Sequence, residues 1–481
     1  MSSHDGVAVP VLLLVMATLR LAVLIYNGAT PVLAGTLWMF VYITAAVVPI
    51  AQFHTGLFPM LDSPEYLIPA AILFLVTVVA YEIGRFLGSK TGTRPGQITV
   101  RLISIARLKW LTVLSVTAAA YYANSVGGIG VLMSSRRELR ESIQMAGLSQ
   151  PDSQVGSAIV MTAGTVPVFI ALVLWIVHLR RSQSRSITGW LWLAVLVAVN
   201  LVVNNPLTSP RYWVITMFVT FIFTLPKLSA RRFQWTLIAG VLGAIVAFPY
   251  LDYFRNAVEY RNPISFISIA EKISTKDFDQ FIMTANGMSW IDGRGHTLGA
   301  QILGAIFFWV PRSVWPEKAR DTGVEVGYSI GASNVNLSSP LPLEFWVDFG
   351  WVGAILAFLV VGYFSFRLDT RFSVTRNAVR SQIYVVDILI PLLAGYTFIL
   401  MRGPLLQSMS RLAVMLAVCL FVMGSRVAVD GLGQVVEKIE TCPETHASAS
   451  NPRAHQATAG AAEKADRAST SERRLTTERH G

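Results

Sequence analysis

The chain has 481 residues, 53% of them hydrophobic and only 14% charged. Soluble domains carry about 25% charged residues, so this composition excludes an ordinary water-soluble enzyme and leaves most of the surface facing something other than water. The net charge of +11 would suit nucleic acid, but the basic residues fall in short clusters between apolar segments, which argues against it.

Stretches of about 20 mostly apolar residues match the thickness of a bilayer core. In chain order they lie at 8–26, 32–51, 67–87, 106–123, 156–178, 188–204, 211–225, 234–250, 345–365, 383–401 and 410–428. They predict an all-α integral membrane protein, a polytopic bundle of about 11 transmembrane helices. The first stretch lacks a basic leader and a small-residue cleavage site, so it reads as a retained helix. No internal repeat is evident, which weakens inverted-repeat transporter architectures.

Loop charge predicts the orientation. Lys90, Arg94, Arg101 and Arg107 form one basic connection, followed by Arg180, Arg181 and Arg185, then Lys227, Arg231 and Arg232, then Arg367, Arg371, Arg376 and Arg380. They alternate with 52–66, 204–210 and 403–409, which are poor in Lys and Arg. The basic set is expected in the cytoplasm, with the N-terminus outside and the C-terminus inside.

Two segments depart from this pattern, 124–155 and the long stretch 251–344, and both are expected outside. Within the second, Leu298–Val310 is apolar but too short to span before Pro311. It predicts an interfacial or re-entrant helix near 298–310. Counting it as a twelfth span would put the basic 366–382 loop outside. The membrane domain is therefore expected over 1–428. From 429 to 481 aromatics vanish and no apolar period remains, which predicts a disordered cytoplasmic tail.

A 90-residue loop far exceeds usual connections, and its Trp, Phe, Tyr and Pro content argues for order. Arginines stand at outer helix ends: Arg211 after Asn204-Asn205-Pro206 and Pro210, Arg255, Arg312, and Arg402 before Gly403-Pro404. Guanidinium stays charged and binds phosphate oxygens bidentately, so a converging set would suit a lipid diphosphate. Snorkelling to the interface is the bland alternative for any single one. Asp279, Asp292, His296, Glu317 and Glu344 are candidate proton acceptors, with solvated loop charges as the alternative. No cofactor or metal is expected: Cys419 and Cys442 are isolated, His296 has no His or Cys neighbour, and HExxH, GxxxxGK[ST], GxGxxG and GxSxG are absent. Arg20 and Glu82 lie in or near apolar helices, where ionisable groups are functional candidates.

The outer loop resembles the O-antigen polymerase (Wzy-type) and oligosaccharide repeat-unit polymerase families, and three pieces of the chain carry the likeness. Phe307-Phe308-Trp309-Val310-Pro311-Arg312-Ser313-Val314-Trp315-Pro316-Glu317-Lys318 looks like their Pro-Arg, Trp-Pro, Lys signature. Glu344 through Asp348-Phe349-Gly350-Trp351-Val352-Gly353 is similar to a second motif, in which an Asn is common where Asp348 stands. Met401-Arg402-Gly403 resembles an outer Arg-Gly after a late helix. The likeness is motif-specific over about 290–355.

The resemblance implies a GT-C-like helical bundle at the bacterial inner membrane that polymerises undecaprenyl-diphosphate-linked repeat units into surface polysaccharide. Arg312, Arg211, Arg402, Arg255 and Lys318 would hold the diphosphate, and Glu344, Asp279 or His296 would receive the acceptor proton. Partners implied are the lipid-linked oligosaccharide, membrane lipid, a flippase and a chain-length regulator. An O-antigen ligase-like transferase and a lipid-linked glycan transporter are the competing expectations.

Overall fold

The structure is a computed structural model. It describes residues 3–26, 31–91, 98–134, 136–146, 154–182, 186–206, 208–224, 230–243, 269–274, 278–333, 335, 337–377, 382–429 and 435–439. Arg255 and all of 440–481 lie outside the described residues.

The chain is mostly helical. In order come α1 (Ser3–Tyr26), α2 (Val32–Thr55, π-helical over Val41–Val47), α3 (Leu67–Lys90), β1 (Ile98–Ile103) and α4 (Ile105–Ser125). There follow α5 (Arg136–Met145), α6 (Gln154–Ser182), α7 (Ile187–Val203), α8 (Arg211–Thr224) and α9 (Ala230–Leu242). Then come α10 (Gln280–Asp292), α11 (Ala300–Ile306), α12 (Thr322–Ser329), α13 (Leu341–Asn377), α14 (Val386–Arg402) and α15 (Leu405–Phe421). The last elements are β2 (Met423–Val429) and β3 (Val435–Ile439).

Among the described residues five helices are long and apolar enough to cross a membrane: α1, α2, α3, α6 and α13. Shorter apolar helices, α7, α8 and α15, pack beside them. Large apolar side chains stand exposed along these helices, including Leu19 on α1, Leu201 on α7 and Phe364 on α13. A monomer in water seldom exposes so much apolar surface; lipid accommodates it, and the chain is membrane-embedded.

Two apolar cores organise the bundle. One joins α1, α2, α3 and α13, and the other joins α4, α6, α7, α14 and α15. Helices α3 and α13 cross at van der Waals limits because glycines face backbone. A Cβ on Gly84 would lie 2.1 Å from the Leu359 carbonyl oxygen, and one on Gly362 would lie 2.0 Å from that of Tyr81. In lipid, where apolar burial alone does not drive helices together, close approach through small residues does so.

The end of the bundle rich in arginine is held by buried ion pairs. Arg85 meets Asp369 at 3.0 Å, and Asp369 also accepts from the Leu33 and Ala34 amides at the start of α2. Arg181 meets Asp387 at 2.7 Å, and Asp387 accepts from Thr375 and from the Tyr384 amide. Arg20 and Glu82 pair with each other at 2.9 Å, and Trp38 donates to the same carboxylate. These two candidates therefore link α1, α2 and α3.

A few short strands form at this same end beside the helices. An antiparallel sheet runs β1-β2-β3, with Val100 opposite Val427 and Ala428 opposite Glu437. Val100, Val427 and Val429 bury one face against Tyr384. The last helix, expected to reach 428, ends at Phe421, and the chain remains ordered through 429 and 435–439. Ile98-Thr99-Val100-Arg101-Leu102-Ile103 alternates with a period of two and carries β-branched residues, which favours a strand.

At the opposite end, α11 is seven residues long, about 10 Å by helical rise. Leu298, Leu303, Ile306, Phe307, Trp309 and Val314 around it are exposed. Within α13 the helix is broken at Phe349 (φ −137°) and Gly350 (φ +62°), the latter a left-handed conformation suited to glycine.

Candidate functional site

Polar groups collect at the end of the bundle remote from the sheet, where α10, α12 and α13 begin and α14 turns into α15. Asp279 immediately precedes α10 and is 2% exposed. Its carboxylate accepts from the Ser338 amide at 3.2 Å and from the Ser338 hydroxyl. Arg402, the last residue of α14, places Nη2 3.8 Å from Asp279 Oδ1, while its carbonyl accepts from the Ser339 amide at 3.0 Å. The Gly403-Pro404 turn that ends α14 and starts α15 fixes the arginine there. Asp279 and Arg402, candidates 123 residues apart in sequence, are thus neighbours.

Glu344 sits in the first turn of α13 and is 1% exposed. Thr322 Oγ1 donates to its Oε2 at 3.0 Å. Thr322 opens α12, and Asp321 precedes it at the cap position. Burial raises the Asp321 carboxyl to about 6, against the opposing pull of the Gln407 backbone amide, Arg312 and Lys318. Burial and the neighbouring Arg312 lower the Lys318 ammonium.

Arg312 and Lys318 turn largely inward on their own loop. Arg312 donates to the Lys318 carbonyl and, at 3.0 Å, to that of Ala319. Lys318 Nζ donates to the Phe308 and Val310 carbonyls at 2.7 and 3.0 Å. The Pro-Arg, Trp-Pro, Lys segment is a self-bonded turn that sets the approach to Asp321. Asp348 likewise acts on structure: it accepts from Thr297 Oγ1 and from the Gln301 and Ile302 amides, capping α11.

The other sequence candidates stand apart. His296 is exposed, lies 3.3 Å from the Val347 carbonyl through Nδ1, and sets its ring edge-on to Trp346. No hydrogen bond or ion pair among the described residues joins it to the carboxylates. Asp292 accepts from the Tyr66 hydroxyl at 2.7 Å, and Glu317 is exposed. Arg211 opens α8, half-buried. Arg255 lies outside the described residues.

Among the described residues, buried polar atoms of the cluster without a hydrogen-bond partner of good geometry include Gln280 Oε1, Asp321 Oδ1 and Arg402 Nε, while the Ser339 hydroxyl lies beside the Glu344 carboxylate. Native interiors leave few such atoms, and each calls for water or a ligand. Among the described residues no group of three His, Cys, Asp or Glu gathers as a metal site. The arrangement offers acceptors for a proton beside a cation for an anion. No family model, no curated protein and no solved structure matches the chain. Its chemistry has to be read from these residues.

Sequence reasoning did not single out Thr322, Ser338 or Ser339, because isolated hydroxyls give no pattern. It also passed over Arg411, although an arginine inside an apolar stretch is itself a signal.

Proposed function

We propose that this chain is a membrane-embedded glycosyltransferase that polymerises lipid-linked oligosaccharide repeats at the outer face of a bacterial inner membrane. In this reading α1, α2, α3, α4, α6, α7, α8, α9, α13, α14 and α15 are the 11 spans. The basic end with its sheet faces the cytoplasm, and the polar cluster faces outward.

The observation that carries the reading is that buried Asp279 and buried Glu344 lie at the same end of the bundle, Asp279 beside the partly exposed Arg402, with several polar atoms there incompletely satisfied. In the reaction, an acceptor sugar hydroxyl attacks the anomeric carbon of a glycan held on polyprenyl diphosphate. The new glycosidic C–O bond forms as the bond to diphosphate breaks, with inversion. The hydroxyl proton passes to Glu344 or Asp279. The diphosphate leaves with the bonding electrons, and Arg402, with Arg211 at the same end, neutralises it. Arg312 and Lys318 shape the loop and add positive potential.

The test is transfer by the purified protein in liposomes supplied with a lipid-linked repeat unit. Chains longer than one repeat are expected from the wild type. Glu344→Gln and Arg402→Gln are expected to lower the rate by at least about 100-fold, the scale of losing a positioned base or charge. Absence of transfer by the folded wild type, or full transfer by both variants, would overturn the assignment.

A further inference from the structure

Arg411 is a largely enclosed arginine with no counter-charge among the described residues. It lies about 9 Å along α15 from Leu405 by helical rise, inside the apolar core shared by α4, α6, α14 and α15. The comparison with other arginines in the bundle is direct. Arg85 has Asp369 at 3.0 Å, and Arg181 has Asp387 at 2.7 Å. Among the described residues no carboxylate lies within 4.0 Å of Arg411.

Its surroundings are aromatic and hydroxylic. One Nη donates to the Tyr212 hydroxyl, and the guanidinium lies 5.3 Å from the centre of the Tyr212 ring and 5.9 Å from that of Trp213. Trp213 is fixed by Nε1 donating to Asn204 Oδ1 at 2.9 Å, and Asn204 is itself tied to Thr165 and Asn200. The Tyr122 and Tyr396 phenols are within electrostatic reach. Arg411 Nε is buried and has no acceptor among the described residues, while part of the residue stays accessible.

A cation in a low-dielectric interior is costly unless an anion meets it. Aromatic faces and one phenol offset part of that cost. They leave the Nε–H of the guanidinium, on the edge that forms paired hydrogen bonds to phosphate oxygens, without an acceptor among the described residues.

We propose that Arg411 and Tyr212 bind a phosphate group of the diphosphate on a polyprenyl carrier, at a position inside the outer half of the bundle. This deepens the proposed function and rests on it for the lipid source. The same chemistry would accept free diphosphate from water. The carrier reaches the site from the membrane, and the aromatic walls order the guanidinium before the anion arrives.

The probe is farnesyl diphosphate, with inorganic diphosphate as a second arm, added to the full-length protein in detergent while thermal unfolding is followed. Farnesyl diphosphate is expected to raise the wild-type melting temperature by several degrees. The shift is expected to vanish in Arg411→Gln, to shrink in Tyr212→Phe, and to survive in part in Arg411→Lys. An equal shift with inorganic diphosphate that depends on Arg411 supports the anion site and overturns the lipid as its source. No shift in the wild type, or an undiminished shift in Arg411→Gln, overturns the site. If Arg411→Gln does not fold, Arg411→Lys and Tyr212→Phe decide, and undiminished shifts in both overturn it. Binding without glycan transfer would leave the anion site standing and remove the polymerase reading instead.

Discussion

Asp348 stands inside a motif that resembles a polymerase signature, yet its carboxylate serves the start of a short helix. It is fully buried and takes the Gln301 and Ile302 amides at 3.0 and 2.9 Å. Asp348→Ala leaves both donors unpaired and is expected to cost about 2–3 kcal/mol, read as a lower midpoint in denaturant or thermal unfolding. Asp348→Asn keeps one acceptor oxygen and should lose less. Asp321 gives a prediction of opposite character. Its folded carboxyl holds a proton up to about 6, whereas the ordinary value is 3.8. The folded state therefore binds more protons in that interval, and stability falls as pH rises from about 4 to about 6, then levels off. Asp321→Asn should remove that slope, which melting curves across this range will reveal.

At the scale of elements, the tightest constraint is the crossing of α3 and α13. The Tyr81 carbonyl oxygen that would meet a Cβ on Gly362 at 2.0 Å belongs to backbone and cannot rotate away. Gly362→Ala should separate the helices and cost about 3 kcal/mol or more, seen as lost monodisperse protein on size-exclusion chromatography. Gly130, with nothing within 4 Å of its Cβ position, is the matched control. The sheet carries a second prediction. β2 pairs with β1, and β3 pairs with β2. Removal of 440–481 should leave the melting temperature of the bundle unchanged, whereas removal from 423 onward strips β1 of its partner and should lower it.

The helices were legible because an apolar run of bilayer length has few alternative structures. The strands were not, because six alternating residues between two helices carry a much weaker signal than the helices beside them. The candidate site was legible in part. Asp279, Glu344 and Arg402 could be named from residue type and location, but the meeting of Asp279 with Arg402 depends on the 403–404 turn and on Ser338-Ser339, which no period announces. Arg312 and Lys318 could be named, but the carbonyls they bind are set by the fold of a 12-residue turn.

For the whole molecule, the account makes the arginine-rich end cytoplasmic and the polar cluster external. Cysteine introduced at Ser313, an exposed position beside Arg312, should react in intact cells with a reagent that cannot cross the membrane. Cysteine placed at Ser425 in β2 should react only after permeabilisation. The opposite pattern would invert the topology and put the site on the wrong face for lipid-linked acceptors. The most direct measurement of the central claim is the size distribution of surface glycan and lipid-linked oligosaccharide in cells with and without this gene. The account predicts that long chains disappear while single lipid-linked repeats accumulate. Long chains still formed but retained on their lipid carrier would point to a ligase, and unchanged pools of both would contradict a role in glycan assembly.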